Sequence, residues 1–251
     1  MNKLGKLPAK HDPRTLRLSK YLALPTAPDP IDWGKAVTVP WGMYMNGPDP
    51  LNPPAIAGGV GDCFWAGMAH ALMTWTANAG GIFVPTNNDV EVGYESTGFD
   101  PSNPSATDNG TVLLDGLKYM RTTGIGGKKI GAFVAVDWKN HAEVMAALYL
   151  FGVLLIGVQF PQDWESSDVW DTTSSPLVGG HFIPGVKGSL AAALLEIISW
   201  GRGYTLTFAG LDQNCDEMYV TLPPEWIEDN GKAPNGFDMQ TLTADLAAVT
   251  S

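Results

Sequence analysis

The chain has 251 residues, 45% of them hydrophobic, enough to bury a sizeable core as one domain or as two closely joined lobes. Its formal net charge of −11 argues against a nucleic-acid partner. Two cysteines, Cys63 and Cys215, argue against a disulfide-stapled secreted domain. No run reaches the roughly 18 uninterrupted apolar residues of a membrane span, since residues 144–160 are interrupted by Gly152, Gly157 and Gln159.

Charge is concentrated at the start. Lys3, Lys6, Lys10, Arg14, Arg17 and Lys20 are six of the 15 basic residues, and only Asp12 opposes them in the first twenty positions. Residues 1–30 lack a periodic apolar face and read as an extended basic arm. The arm could meet an acidic partner surface, including this chain's own, or remain a solvated tail. It carries no apolar h-region, so secretion by a signal peptide is not expected and a cytoplasmic or virion-associated location is.

Ile31-Asp32-Trp33 and Val37–Pro40 come next, and the proline-rich run Trp41–Pro54 reads as a surface loop. Gly58–Gly61 then lead into Asp62, a good N-cap, and an apolar helix from Cys63 to about Ala77. A cysteine in the first turn of a helix is favoured as thiolate by the unpaired N–H groups and the helix dipole. Asp62 beside it opposes that effect, and a small buried apolar residue is the plainer reading of Cys63.

Residues 87–109 read as polar and turn-rich, followed by a helix within 110–122 and a strand over 129–136. His141–Leu150, capped by Asn140, reads as a helix, and Val153–Phe160 as a buried strand. Residues 161–178 read as a polar loop containing Trp164 and Trp170. Extended segments are expected at Leu194–Ser199, Tyr204–Phe208 and Glu217–Leu222.

A thiolate nucleophile needs a base. His70 lies about 10 Å along the helix from Cys63 at 1.5 Å per residue, too far to touch the sulfur. His11 falls in the arm and His141 at a helix start, which leaves His181 behind Gly179-Gly180. The pattern lacks C-x-x-C, H-E-x-x-H and P-loop spacing, so neither a metal nor a cofactor is expected.

Gly61, Cys63, Trp65 and Ala66 resemble the nucleophile segment of the papain-like cysteine peptidases. Ile31-Asp32-Trp33, Gly179-Gly180-His181 and Ser199-Trp200-Gly201 resemble that family's mature N-terminus, histidine segment and Asn-Ser-Trp-Gly in the right order. The chain looks similar to phage or bacterial members. The resemblance implies an α+β fold with a helical lobe (about 55–128), an antiparallel barrel-like sheet lobe (about 129–230), residues 31–54 crossing to it and a cleft between them. It also implies Cys63 as nucleophile, His181 as base and a peptide or protein substrate.

Three departures qualify the resemblance. Ala57 stands where the family has its oxyanion glutamine, and Ile198 where it has the asparagine that orients the histidine. Asp62, Glu196 and Gln162 are candidates for the missing oxyanion or orienting functions. The arm looks too short to resemble the family's propeptide closely. The alternative function is a catalytically inactive papain-like structural or binding protein, such as a phage virion component that contacts partners through its arm.

Overall fold

In the computed structural model, residues 3–21, 24–34, 44, 59–226, 233 and 235 are described. The helices are α1 (Leu18–Tyr21), α2 (Cys63–Asn78), α3 (Asn87–Glu95), α4 (Pro104–Thr107), α5 (Leu113–Thr122), α6 (His141–Phe151) and α7 (Phe208–Asn214). The strands are β1 (Ile31–Asp32), β2 (Phe133–Ala135), β3 (Leu154–Pro161), β4 (Val169–Trp170), β5 (Leu177–Ser189), β6 (Leu194–Ser199), β7 (Arg202–Thr207) and β8 (Cys215–Thr221). Residues 37–40, the run 41–54 apart from Tyr44, and Ala57 lie outside the described residues.

Helix α2 is apolar around most of its circumference, and every residue from Cys63 to Ala77 is buried. A helix of that composition belongs inside a core rather than on a surface. It meets the sheet closely at Gly67, where an added Cβ would lie 2.5 Å from the Phe182 ring of β5. On its other side the Phe64 ring sits as close to Gly116 of α5, at 2.3 Å from such a Cβ. Glycine at both positions lets an aromatic ring fill the space between elements.

The sheet has eight strands in the order β2-β8-β3-β5-β6-β7-β4, with β1 also paired to β5. Every pairing is antiparallel except β4 with β7. The sheet is open, with β2 and β4 at its ends, so the expected barrel-like curvature does not reach closure. Strand β5, 13 residues long, pairs with β3, β6 and β1 and carries His181 at its buried middle.

Several local expectations differ from the structure for identifiable reasons. Residues 87–95 form a helix because Thr86 and Asp89 make a reciprocal capping box, while Val90, Gly93 and Tyr94 are buried. Its polar composition hides that cap in the sequence. Thr207 caps α7 by accepting from the Gly210 N–H, ending the strand expected to continue through Phe208. Trp164 and Trp170 are buried and stacked at 5.1 Å, because a 3-10 turn at Gln162–Ser166 and β4 fold them inward.

The basic arm packs on its own chain. Lys6 and Leu18 are buried, and backbone bridges join Lys6 to Thr111 and Arg17 to Ala135. Lys3 pairs with Asp108 at 3.0 Å and Lys10 with Asp115 at 3.3 Å. No described helix is long and apolar enough to cross a membrane.

Candidate functional site

Cys63 opens α2 and is 2% exposed. The Asp62 carbonyl accepts from the N–H groups of Trp65 (2.8 Å) and Ala66 (3.0 Å), starting the helix. The Asp62 side chain makes no capping bond, in contrast to the expected cap, and is itself fully buried. The backbone amides of Phe182 in β5 and Gly5 in the arm donate toward the sulfur. Burial outweighs them and pushes the thiol up to about 12, with the Asp62 charge adding to the rise. The expected thiolate is thus reversed in this conformation, because removing water costs the anion more than the helix start and two amides return.

His181 sits on β5 opposite Val158 of β3 and is 1% exposed. Its Nε2 lies 2.7 Å from the Ser199 hydroxyl. The Trp200 ring stacks on the imidazole at 4.8 Å and 14°, and Phe160 meets it edge-on at 5.7 Å. Burial lowers the imidazole to about 3, so the ring is neutral. Its Nδ1 is buried with no hydrogen-bond partner among the described residues. With Nε2–H donated to Ser199, Nδ1 holds a free lone pair and can take a proton.

A tight hairpin sets this arrangement. Trp200 and Gly201 link β6 to β7 with φ of 45° and 74°, the positive pair characteristic of a type I′ turn. Ser199 at the end of β6 and Trp200 in the turn both reach His181, while Ile198 is buried in the core. Adjacent residues on a strand face opposite sides, so the side chain reaching the ring is displaced by one from the position that resemblance points to. The alternation of β6 was the available signal for Ser199.

The other candidates lie elsewhere. Glu196 pairs with Lys187 at 3.4 Å, on the flank of β5. Gln162 is exposed at the start of the 3-10 turn, its N–H donating to the Pro176 carbonyl. His141 pairs with Asp212 at 3.1 Å, His70 is buried within α2 beside Tyr44, and His11 is exposed. Among the described residues, no group of three or more His, Cys, Asp or Glu is placed to hold a metal ion.

The arm crosses between the two walls of this site. The Thr111 N–H donates to the Gly5 carbonyl at 2.7 Å, and the Leu7 N–H to the Thr111 carbonyl at 3.0 Å. On the opposite wall, the Lys6 N–H donates to the carbonyl of Gly180 at 3.0 Å, next to His181. The fit is backbone against backbone: a Cβ on Gly5 would fall 1.6 Å from the Gly61 carbonyl oxygen, and one on Gly180 2.4 Å from that of Lys6. The arm is therefore held as an extended segment against both walls. Asp108 braces the helical wall by accepting from the Gly61 N–H (2.7 Å) and Tyr94 hydroxyl (2.8 Å).

No family model matches this sequence. A search of curated proteins also found no match. Solved structures do match. Xylellain, a cysteine protease from Xylella fastidiosa, superimposes with a TM-score of 0.62 at 15% identity, covering 88% of this chain and 96% of that one. Procathepsin B S9 from Trypanosoma congolense gives 0.59 at 8%, covering 88% and 86%. A Carica candamarcensis cysteine protease solved with E-64 gives 0.52 at 14%, covering 78% and 98%. The fold of this chain is that of the papain-like cysteine proteases.

Proposed function

We propose that the chain is a cysteine peptidase or related acyl-transfer enzyme, held closed here by its own arm. The supporting observation is that an extended polypeptide, residues 5–7, is bonded to Thr111 on one wall and Gly180 on the other while passing the Cys63 sulfur. A site that binds one extended chain this way has the donors and acceptors to bind another.

With the arm displaced, water lowers the cost of forming the ion pair, and Cys63, which makes no hydrogen bond to His181 in this conformation, approaches the free Nδ1 and passes it its proton. The sulfur attacks the substrate carbonyl carbon, and the oxyanion meets N–H groups in the first turn of α2. The C–N bond breaks as His181 protonates the departing amine, leaving a thioester. His181 then takes a proton from water, which attacks the thioester and returns the thiol. Ser199 and Trp200 are positioning residues that hold the imidazole tautomer and plane.

A second reading has its own support. Ile198 in place of the family's asparagine, with both reactive groups neutral, suits a non-catalytic binding or assembly protein on this fold. Gly5→Ala separates the readings, because its Cβ cannot coexist with the Gly61 carbonyl and must move the arm. Under the enzyme reading, Gly5→Ala hydrolyses a mixture of fluorogenic peptides, and Gly5→Ala/Cys63→Ala does not. Rapid alkylation of Cys63 in Gly5→Ala without Cys63-dependent hydrolysis would favour the non-catalytic reading.

A further inference from the structure

Lys6 is a buried lysine whose side chain leaves the cleft for a pocket. Its Nζ lies 2.9 Å from the Asp216 carboxylate and 3.3 Å from that of Glu217, and its side chain is fully shielded from water. The Nζ also donates to the carbonyl of Leu7 at 3.2 Å. Lysine is almost never buried to this degree without opposite charge beside it.

Two features build the pocket around a cation. Asp216 and Glu217 are adjacent on β8, where a regular strand would send them to opposite faces. The β3–β8 register shifts between Gly157 and Val158, which pair with Glu217 and Cys215, and this bulge leaves Asp216 as the extra residue. Both carboxylates then reach one ammonium. The second feature is Gly157, where a Cβ would fall 2.4 Å from the lysine Cε and 3.1 Å from Leu113. The absent side chain is the space through which the lysine methylenes pass.

Each carboxylate also accepts from a neutral donor, Asp216 at the oxygen that Lys6 reaches and Glu217 at its other one. Gln159 donates to Asp216 at 2.6 Å, and the Tyr219 hydroxyl to Glu217 at 3.2 Å. Neither donor carries charge, so among the described residues the Lys6 ammonium is the positive charge that the two carboxylates share. An ion pair serving only to tether the arm has no need of a shaped channel beside the backbone-pairing track.

We propose that the Asp216–Glu217–Gly157 pocket is a recognition site for a lysyl side chain of a polypeptide lying in the cleft, with Lys6 as its resident in this structure. The substrate class is a polypeptide with lysine at the place Lys6 takes, its backbone paired with Gly180 and its side chain on Asp216 and Glu217. This substrate assignment rests on the acyl-transfer reading, but recognition itself does not require Cys63.

The test uses the full chain carrying Gly5→Ala, Lys6→Met and Cys63→Ala, so that the arm is displaced, vacates the pocket and cannot turn over a ligand. Binding of a fluorescent peptide with the sequence of residues 3–10 is compared with the same peptide carrying methionine at its fourth position. The lysine peptide is expected to bind roughly 10–100-fold more tightly, as charge-paired recognition predicts. Adding Asp216→Asn or, separately, Glu217→Gln should shrink that preference while the melting curve still shows a folded protein. Equal affinities, no binding of either peptide, or a preference unchanged in both folded variants overturns the proposal. A lysine preference here, combined with no hydrolysis by Gly5→Ala, would leave a lysine-binding protein and reject only the enzyme reading.

Discussion

Two buried polar centres lie under the same arm and respond to burial in opposite ways. At Cys63 and His181, water is removed and neither group is ion-paired: burial outweighs the Lys6 charge acting on the thiol, which rises to about 12, the imidazole falls to about 3, and both are neutral. At Asp216 and Glu217 the arm supplies an ammonium within 3.3 Å and the charges remain paired. Burial does raise Glu217, but Lys6 acts directly against it. Burial alone leaves a thiol and an imidazole neutral, whereas burial with a counter-charge keeps carboxylates paired. One segment, residues 5–7, does both.

The largest effect should come from breaking the charged centre. Lys6→Met leaves adjacent carboxylates without their cation and is expected to cost about 3–5 kcal/mol in urea unfolding, the scale for removing one partner of a buried pair. The same variant should recover stability on acidification, as the Glu217 carboxyl, already raised by burial, can then be buried as a neutral acid. A cost within about 0.5 kcal/mol, the scale of an ordinary surface change, would contradict the burial of that pair.

The neutral centre predicts the reverse response to acid. His181 has a folded pKa near 3 against 6.5 for the free side chain, so below pH 6.5 the unfolded chain binds a proton that the folded chain refuses. Its contribution is fully present above pH 6.5 and is lost as pH falls toward 3, by up to about 1.4 kcal/mol per pH unit. Comparing the unfolding free energy of wild type and His181→Phe across that range isolates it, and parallel curves would show that His181 is not buried as described. Cys63 acts at the other end, its contribution present below pH 9 and lost as pH rises toward 12.

Ser199→Ala should have the smallest effect on stability, about 1–3 kcal/mol for a buried ring nitrogen left without its partner. In the Gly5→Ala background it should also lower peptide hydrolysis and broaden the pH profile, because the imidazole tautomer is no longer fixed. Ile198→Asn should give no gain in hydrolysis, since its side chain is buried in the core and Ser199 already occupies the ring's second nitrogen. A gain would return the orienting role to position 198.

The parts legible in the sequence were those with a local signal. Asp62 before an unbroken apolar run marked α2, and β-branched residues marked β3. Gly179-Gly180-His181 singled out the histidine on β5, although not that strand's 13-residue length, which depends on pairing with three partners. Ser199 was obscured by its neighbour, because alignment by motif points to Ile198 whereas strand alternation and the hairpin turn select the hydroxyl. The arm was the least legible part. Lys6 and Asp216 are 210 residues apart, and nothing in the local composition of residues 3–10 reveals that they fill a cleft.

The central claim is that residues 5–7 keep Cys63 unreactive by excluding water from it. The direct measurement is the rate of iodoacetamide alkylation at Cys63 near neutral pH in wild type and Gly5→Ala, read site by site so that Cys215, whose buried thiol is also raised, is followed separately. The account predicts slow labelling of both cysteines in wild type and acceleration of Cys63 in Gly5→Ala. Return of the thiol from about 12 toward its free value of 9.0 corresponds to roughly 10³-fold more thiolate. Rapid labelling of Cys63 in wild type, or an unchanged rate in a folded Gly5→Ala protein, would contradict it.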